Sequence, residues 1–307
     1  MLGFLCNLKE EGCEYAARFV PTSSSCPPHA DHRDWRALDA RHGRVLLCTM
    51  PWGYGLSVWD PATDERRELP RVPLHGRFSW NAAVLCAAHG ACDHLDCHHG
   101  PFLVVFVDSD TERLRVHVYS SEAGAWSKPT CGPPSPTYGV LMVPSALVGS
   151  AFYFLIDATN SILKYELATR NMSVIQLPPD FSVDFAVLMA MGDGGLGFAR
   201  LENSRLFLWS METGPKGDAE WAQTRVIQLE TLLPVDASSI SYDFVGFAHG
   251  VGVFFVGTDD GLFSIDLKSG RVMKVCEEEC GEEGIHGVIP YISFYTPDFH
   301  QYGLVPV

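Results

Sequence analysis

Ser57-Val-Trp-Asp-Pro-Ala-Thr-Asp64 has four echoes further along the chain: His117-Val-Tyr-Ser-Ser-Glu-Ala-Gly124, Leu163-Lys-Tyr-Glu-Leu-Ala-Thr-Arg170, Phe207-Leu-Trp-Ser-Met-Glu-Thr-Gly214 and Phe263-Ser-Ile-Asp-Leu-Lys-Ser-Gly270. Aligned, the five segments put a large apolar anchor at Trp59, Tyr119, Tyr165, Trp209 and Ile265. A small polar or acidic residue follows each anchor, and five positions after it comes Asp64, Gly124, Arg170, Gly214 or Gly270. Gly and Asp tolerate the positive φ that tight turns between twisted strands need, so each segment reads as a strand running into a hairpin turn.

A second strand follows most of these turns, as in Arg67 to Leu69, Ser173 to Leu177, Arg225 to Leu229 and Arg271 to Val275, mixing β-branched and polar residues as a half-exposed edge does. Upstream of the hairpins lie more apolar strands, such as Phe102 to Val107, Ala151 to Ile156, Phe185 to Met191 with Gly195 to Leu201, and Phe244 to Ala248 with Gly252 to Gly257. Their composition is that of strands covered on both faces. The anchors recur every 44 to 60 residues, near the period of four-stranded propeller blades. With 28 Gly and 20 Pro spread along the chain and no capped amphipathic helical pattern, a parallel α/β fold is disfavoured.

The expected fold is therefore all-β: a six-bladed β-propeller of four-stranded antiparallel blades, occupying residues 1–307 as one domain. Five hairpins account for five blades. The sixth is expected from both ends of the chain, with strands at Leu2 to Cys6, Tyr15 to Val20 and Val288 to Tyr295, a closure that removes exposed sheet edges. A seven-bladed ring or two sandwich domains are the alternatives.

Composition narrows the partners. With 22 Lys+Arg against 37 Asp+Glu the net charge is −15, which repels phosphate backbones and anionic headgroups, so neither nucleic acid nor membrane is expected. The N-terminus lacks a basic n-region with a long apolar run, and the apolar stretch Val143 to Ile156 is too short for a spanning helix. Ten scattered cysteines read as reduced thiols in the cytoplasm or nucleus.

The sharpest local cluster is His89-Gly-Ala-Cys92-Asp-His94-Leu-Asp96-Cys97-His98-His99, with Cys92, His94, Cys97 and His98 of zinc-ligand type. Its single Cys pair is spaced C-x4-C with no second pair at a usual distance, and a polar inter-strand loop is the expectation. Gly192-Asp-Gly-Gly-Leu-Gly197 matches G-x-G-x-x-G but is followed by a strand-like run, so it reads as a turn inside a blade. The acidic run Cys276-Glu-Glu-Glu-Cys280-Gly-Glu-Glu reads as a solvated loop. No nucleophile elbow, zincin motif or P-loop is present. No catalytic, cofactor-binding or metal residue is assigned, no cofactor is expected, and the protein is not expected to be an enzyme.

Taken together, Leu2-Gly-Phe-Leu-Cys-Asn7, His42-Gly-Arg-Val-Leu-Leu47 followed by Val58-Trp-Asp-Pro-Ala-Thr63, and Cys92-Asp-His-Leu-Asp-Cys97 with Gly100-Pro-Phe102 identify a resemblance. The chain resembles the kelch-like, F-box-associated β-propeller that follows the F-box in a large group of plant F-box proteins. The resemblance implies a module that selects the substrate of a ubiquitin ligase, while the F-box itself docks on Skp1 of a cullin complex. No Leu-Pro-rich helical segment precedes the first strand here, so Skp1 docking is not expected of these residues. The expected function is a protein–protein interaction module with an unknown protein ligand; the alternative is a propeller enzyme or small-molecule binder using the central channel.

Overall fold

The computed structural model describes residues 3–10, 13–22, 29, 31–49, 55–73, 79–88, 92, 94, 97, 99–109, 113–134, 139–157, 160–178, 186–213, 219–277 and 284–292. Their strands form six antiparallel sheets, and five of these take their strands in chain order. Blade 1 runs Trp35–Arg41, Arg44–Thr49, Leu56–Asp60 and Glu65–Glu68; blade 3 runs Ala146–Val148, Ala151–Ile156, Ser161–Glu166 and Met172–Gln176. Blade 4 runs Ala186–Ala190, Leu196–Glu202, Arg205–Thr213 and Ala219–Gln228; blade 5 runs Ile240–Ala248, Val253–Thr258, Gly261–Asp266 and Val272–Cys276. Blade 2 departs from four strands. After Ser79–Cys86, Phe102–Ser109 and Arg113–Ser120, its outer edge is split into Ala125–Trp126 and Thr130–Pro134, both paired with the third strand.

Blade 6 closes the ring with both ends of the chain, as expected. The C-terminal strand Ile285–Tyr291 is innermost and pairs with Gly3–Glu10, which pairs with Cys13–Pro21 and then His32–Arg33. The closing strand begins three residues earlier than the sequence indicated, and residues 293–295 lie outside the described residues. Only two short 3-10 turns, Leu229–Thr231 and Ala237–Ser239, interrupt the strands among the described residues.

Packing follows the repeat. The innermost strands touch between blades 1 and 2, 3 and 4, 4 and 5, 5 and 6, and 6 and 1, and apolar clusters fill all six gaps between blades. Each anchor residue reaches back to the preceding blade. Trp59 joins Phe19 and Tyr291 of blade 6, Tyr119 joins Leu46 and Val58 of blade 1, and Tyr165 joins Val105 and Val116 of blade 2. Trp209 packs on the cluster between blades 3 and 4, and Ile265 on that between 4 and 5. A large apolar side chain on the third strand thus serves the interface rather than its own sheet, which is why the anchor survives while loop lengths vary.

The hairpin turns adopt the backbone the pattern called for. Asp64, Gly124, Arg170 and Gly270 have φ of 59°, 63°, 56° and 69°, so Arg170 accepts the left-handed region that the other blades give to Gly or Asp. Gly214 lies outside the described residues. The G-x-G-x-x-G match is a turn between Ala186–Ala190 and Leu196–Glu202, with a strand and no helix behind it.

Candidate functional site: the channel mouth and the long loop of blade 2

In an antiparallel blade, the turns after the first and third strands share one face of the ring. On that face the innermost strands of blades 1, 3, 5 and 6 end around a cavity of ≈ 240 Å³. Leu147, Phe247, Ile289 and Ile292 form much of its wall, and Asp39, Arg41, His42, His94 and His249 supply its polar groups. Because these residues come from opposite sides of the ring, the cavity lies at the mouth of the central channel.

The polar groups are engaged in tying blades together. Asp39 is buried and accepts the Val84 N–H of blade 2 at 2.8 Å and the Arg41 guanidinium at 2.9 Å. Arg41 also donates to Oγ of Ser145 in blade 3 at 3.1 Å and to the Ser145 carbonyl. Burial raises the Asp39 carboxyl above its usual range, against the pull of Arg41. His42 Nδ1 accepts the Cys86 N–H of blade 2 at 3.0 Å, and His249 Nδ1 accepts the Ala190 N–H of blade 4 at 3.1 Å. Both imidazoles are pushed down to about 3, chiefly by burial; His94 and Arg41 add to this for His42, and Arg41 for His249. The same stitching recurs at Asn7, which exchanges two hydrogen bonds with Ala37, and at Asn81, which donates to the Leu141 and Val143 carbonyls.

Blade 2 departs from its neighbours on this face. The connection between its first two strands takes up residues 87–101, where blades 1, 3, 4 and 5 use short turns such as His42-Gly43, with φ of 52° and 74°. This is the loop that carries the Cys/His cluster. The fold adds one of the scattered cysteines to this cluster: Cys86, at the end of the preceding strand. The donor atoms of Cys86, Cys92, His94 and Cys97 all lie within 4.8 Å of one another, and Cys97 Sγ is 3.6 Å from His94 Nδ1. Cys86 and Cys97 are buried, while Cys92 and His94 are partly so. Burial, and then the neighbouring Cys86 and Cys92, push the Cys97 thiol up to about 12. His98, His89, Asp93 and Asp96 lie outside the described residues, so the loop's candidate His98 is not placed.

The loop is seated on blade 1. Arg44, 2% exposed, donates to the carbonyls of Cys97 and, at 2.6 Å, of Gly100, and its guanidinium lies 5.3 Å from the Phe102 ring centroid. The His94 ring stacks on His42. The acidic run after Cys276 lies mostly outside the described residues.

Six blades, a channel with blade-stitching polar groups and a long loop in blade 2 define a six-bladed β-propeller. The chain belongs to the family described as F-box protein AT5G49610-like, beta-propeller, whose model matches residues 36–299. Among solved structures, it is similar in fold to a protein of unknown function from Bacteroides caccae (TM-score 0.54, 10% identity, covering 94% of this chain and 99% of that one). It is also similar in fold to a chain of a Nidogen/Laminin complex (0.52, 9%, 94% and 97%) and to the Cps50 (Swd1) β-propeller domain of Myceliophteria thermophila (0.50, 10%, 87% and 82%). No curated protein matches the chain by sequence. No helix among the described residues is long and apolar enough to cross a membrane.

Proposed function

We propose that the chain is a non-catalytic protein-recognition propeller that selects a substrate protein for an F-box-type ubiquitin ligase, gripping it at the elaborated channel mouth. Membership in a family of F-box-protein propellers is the observation that carries this reading. The chemistry of the mouth supports it. An imidazole that protonates only near pH 3 is a poor general base at neutral pH, and Asp39 and Arg41 are already committed to each other and to neighbouring backbone. What remains for a partner is an apolar wall with a few fixed polar groups, the kind of pocket that takes one anchoring side chain of a protein ligand. At ≈ 240 Å³ the cavity falls below the roughly 300–1,000 Å³ typical of small-molecule sites, which weighs against the channel-enzyme alternative.

The test compares proximity labelling and affinity capture by the native chain and by a Leu147→Glu variant in its own tissue. A partner captured by the native chain, lost from the variant and accumulating when the chain is depleted supports the reading, and co-capture of Skp1 and cullin supports its ligase part. Equal capture by both chains would remove the channel mouth from the proposal.

A further inference from the structure

We propose that Cys86, Cys92, His94 and Cys97 form a structural Zn²⁺ site that clamps the long loop of blade 2 onto the channel mouth.

The donor set is three thiols and one imidazole, with no carboxylate among them, which is the soft, closed Cys₃His combination that selects zinc. The spacing agrees. Zn–S bonds of about 2.3 Å and Zn–N bonds of about 2.0–2.1 Å set tetrahedral donor atoms roughly 3.5–3.8 Å apart. His94 Nδ1 and Cys97 Sγ are 3.6 Å apart, and no pair of the four donor atoms exceeds 4.8 Å, so small side-chain adjustments close the tetrahedron. With four protein donors no position is left for water or substrate, which assigns a structural and not a catalytic role.

Two of the three sulfurs have surroundings that suit a bound thiolate. The Ala88 N–H points to Cys86 Sγ and the His94 N–H to Cys92 Sγ, each at 3.4 Å and each from the residue two positions on. Such N–H donors stabilise negative sulfur and orient it toward a metal. Three thiolates, a neutral imidazole and Zn²⁺ carry one net negative charge, and the buried Arg44 guanidinium lies against the Cys97 and Gly100 carbonyls of the same loop. Buried charge of one sign is tolerated where the opposite sign is close. The cluster joins a strand end to a loop whose described residues are held by the backbone hydrogen bonds Ala87 N–H to Pro101 O and Gly100 N–H to Cys97 O, and a metal here adds a further tie. The site stands or falls independently of the partner's identity.

The experiment uses the full chain purified under reducing conditions from zinc-supplemented growth, with metal content by elemental analysis and intact mass to count free thiols. Roughly one zinc per chain is expected. Cobalt exchanged into the site should give thiolate-to-cobalt charge-transfer bands and the strong visible absorption of a tetrahedral ion. Cys92→Ser and His94→Ala, on the half-exposed loop where folding is least at risk, should each weaken zinc binding at least about 100-fold. Cys131→Ser, at an exposed thiol elsewhere in blade 2, should leave it unchanged. A native chain that takes up neither zinc nor cobalt with its thiols reduced, a disulfide among these cysteines, or equal zinc retention by Cys92→Ser and Cys131→Ser would each overturn the proposal.

Discussion

The imidazole of His94 lies flat on that of His42, with ring centroids 3.8 Å apart and planes 11° from parallel. One ring belongs to the long loop of blade 2 and the other to the first turn of blade 1, so the stack joins the Cys/His cluster to the channel wall. His42 bears two local demands. Its φ is 52°, and its Nδ1 takes the otherwise buried Cys86 N–H. His42→Ala leaves that donor unmet and retains a Cβ in the left-handed region, and should cost about 2 kcal/mol of unfolding free energy. His42→Asn, which tolerates this backbone and offers an amide oxygen, should cost less than about 1 kcal/mol. Urea unfolding of the two variants checks the ordering, and equal losses would show that the hydrogen bond contributes little.

Asp39 and Arg41 make the most heavily engaged pair at the mouth. Removing the carboxylate by Asp39→Ala strands a buried guanidinium and the Val84 N–H at once. The expected loss is about 3–5 kcal/mol, with aggregation during expression as its visible form. Replacing both residues, by Asp39→Leu with Arg41→Met, should recover much of the loss, because it removes the uncompensated charge. A double variant as unstable as Asp39→Ala would mean that the backbone contacts to Val84 and Ser145, and not the charge balance, dominate.

The sequence carried the fold in its periodic features. The hairpin pattern at Trp59, Tyr119, Tyr165, Trp209 and Ile265 was legible because each anchor meets the same demand, filling the gap to the preceding blade, and each turn needs the same positive φ. The shared sixth blade followed from counting. The site was less legible. Asp39, Arg41 and His249 are 208 or more residues apart across the pairings with His249, and only ring closure brings them to one cavity. Cys86 is hard to read from sequence because a cysteine in an apolar strand looks like any small buried side chain, and it stands six residues from Cys92, outside the usual spacing of a zinc-binding Cys pair. The signal present was its place at the last strand position before a loop holding Cys92, His94 and Cys97.

Closure of the ring rests on a single strand. Ile285–Tyr291 pairs with Gly3–Glu10, and Tyr291 is buried against Phe19 with its hydroxyl donating to the Gly43 carbonyl at 3.2 Å. Tyr291→Phe removes only the hydrogen bond and should cost about 1 kcal/mol, whereas Tyr291→Ala also opens a cavity and should cost about 3–5 kcal/mol. Ending the chain at residue 284 exposes the whole edge of Gly3–Glu10, and light scattering should report aggregation. A monomeric, cooperatively folded truncation would show that the other five blades hold the ring unaided.

Gly261 opens the strand Gly261–Asp266 at φ +122°, and a Cβ there would stand 2.4 Å from the Cys276 carbonyl oxygen of the paired strand. Both the backbone region and the space exclude a side chain. Gly261→Ala should therefore cost roughly 2 kcal/mol or more, while Gly124→Ala, with φ +63° and open space around it, should cost about 1 kcal/mol. Comparing their midpoints in urea separates steric conflict from backbone strain alone.

His249 makes the seam between blades 4 and 5 sensitive to acid. Its imidazole is held down to about 3 by burial and by Arg41, against an ordinary value of 6.5 in the unfolded chain. Asp39 pairs with that Arg41, and His42 and His94 share the cavity, so protonated His249 would add to a site whose cation is already matched. Between pH 6.5 and 3 the unfolded chain takes up a proton that the folded chain refuses, so this contribution is intact above pH 6.5 and is lost progressively as pH falls. From pH 7 to pH 4 the loss should reach about 2–3 kcal/mol. His249→Asn keeps an acceptor for the Ala190 N–H and cannot titrate. Subtracting its pH–stability curve from that of the native chain cancels every other titrating group, leaving a difference that changes with pH below 6.5. A flat difference would mean that His249 protonates in the folded ring, with water or the Asp39 carboxylate compensating the charge.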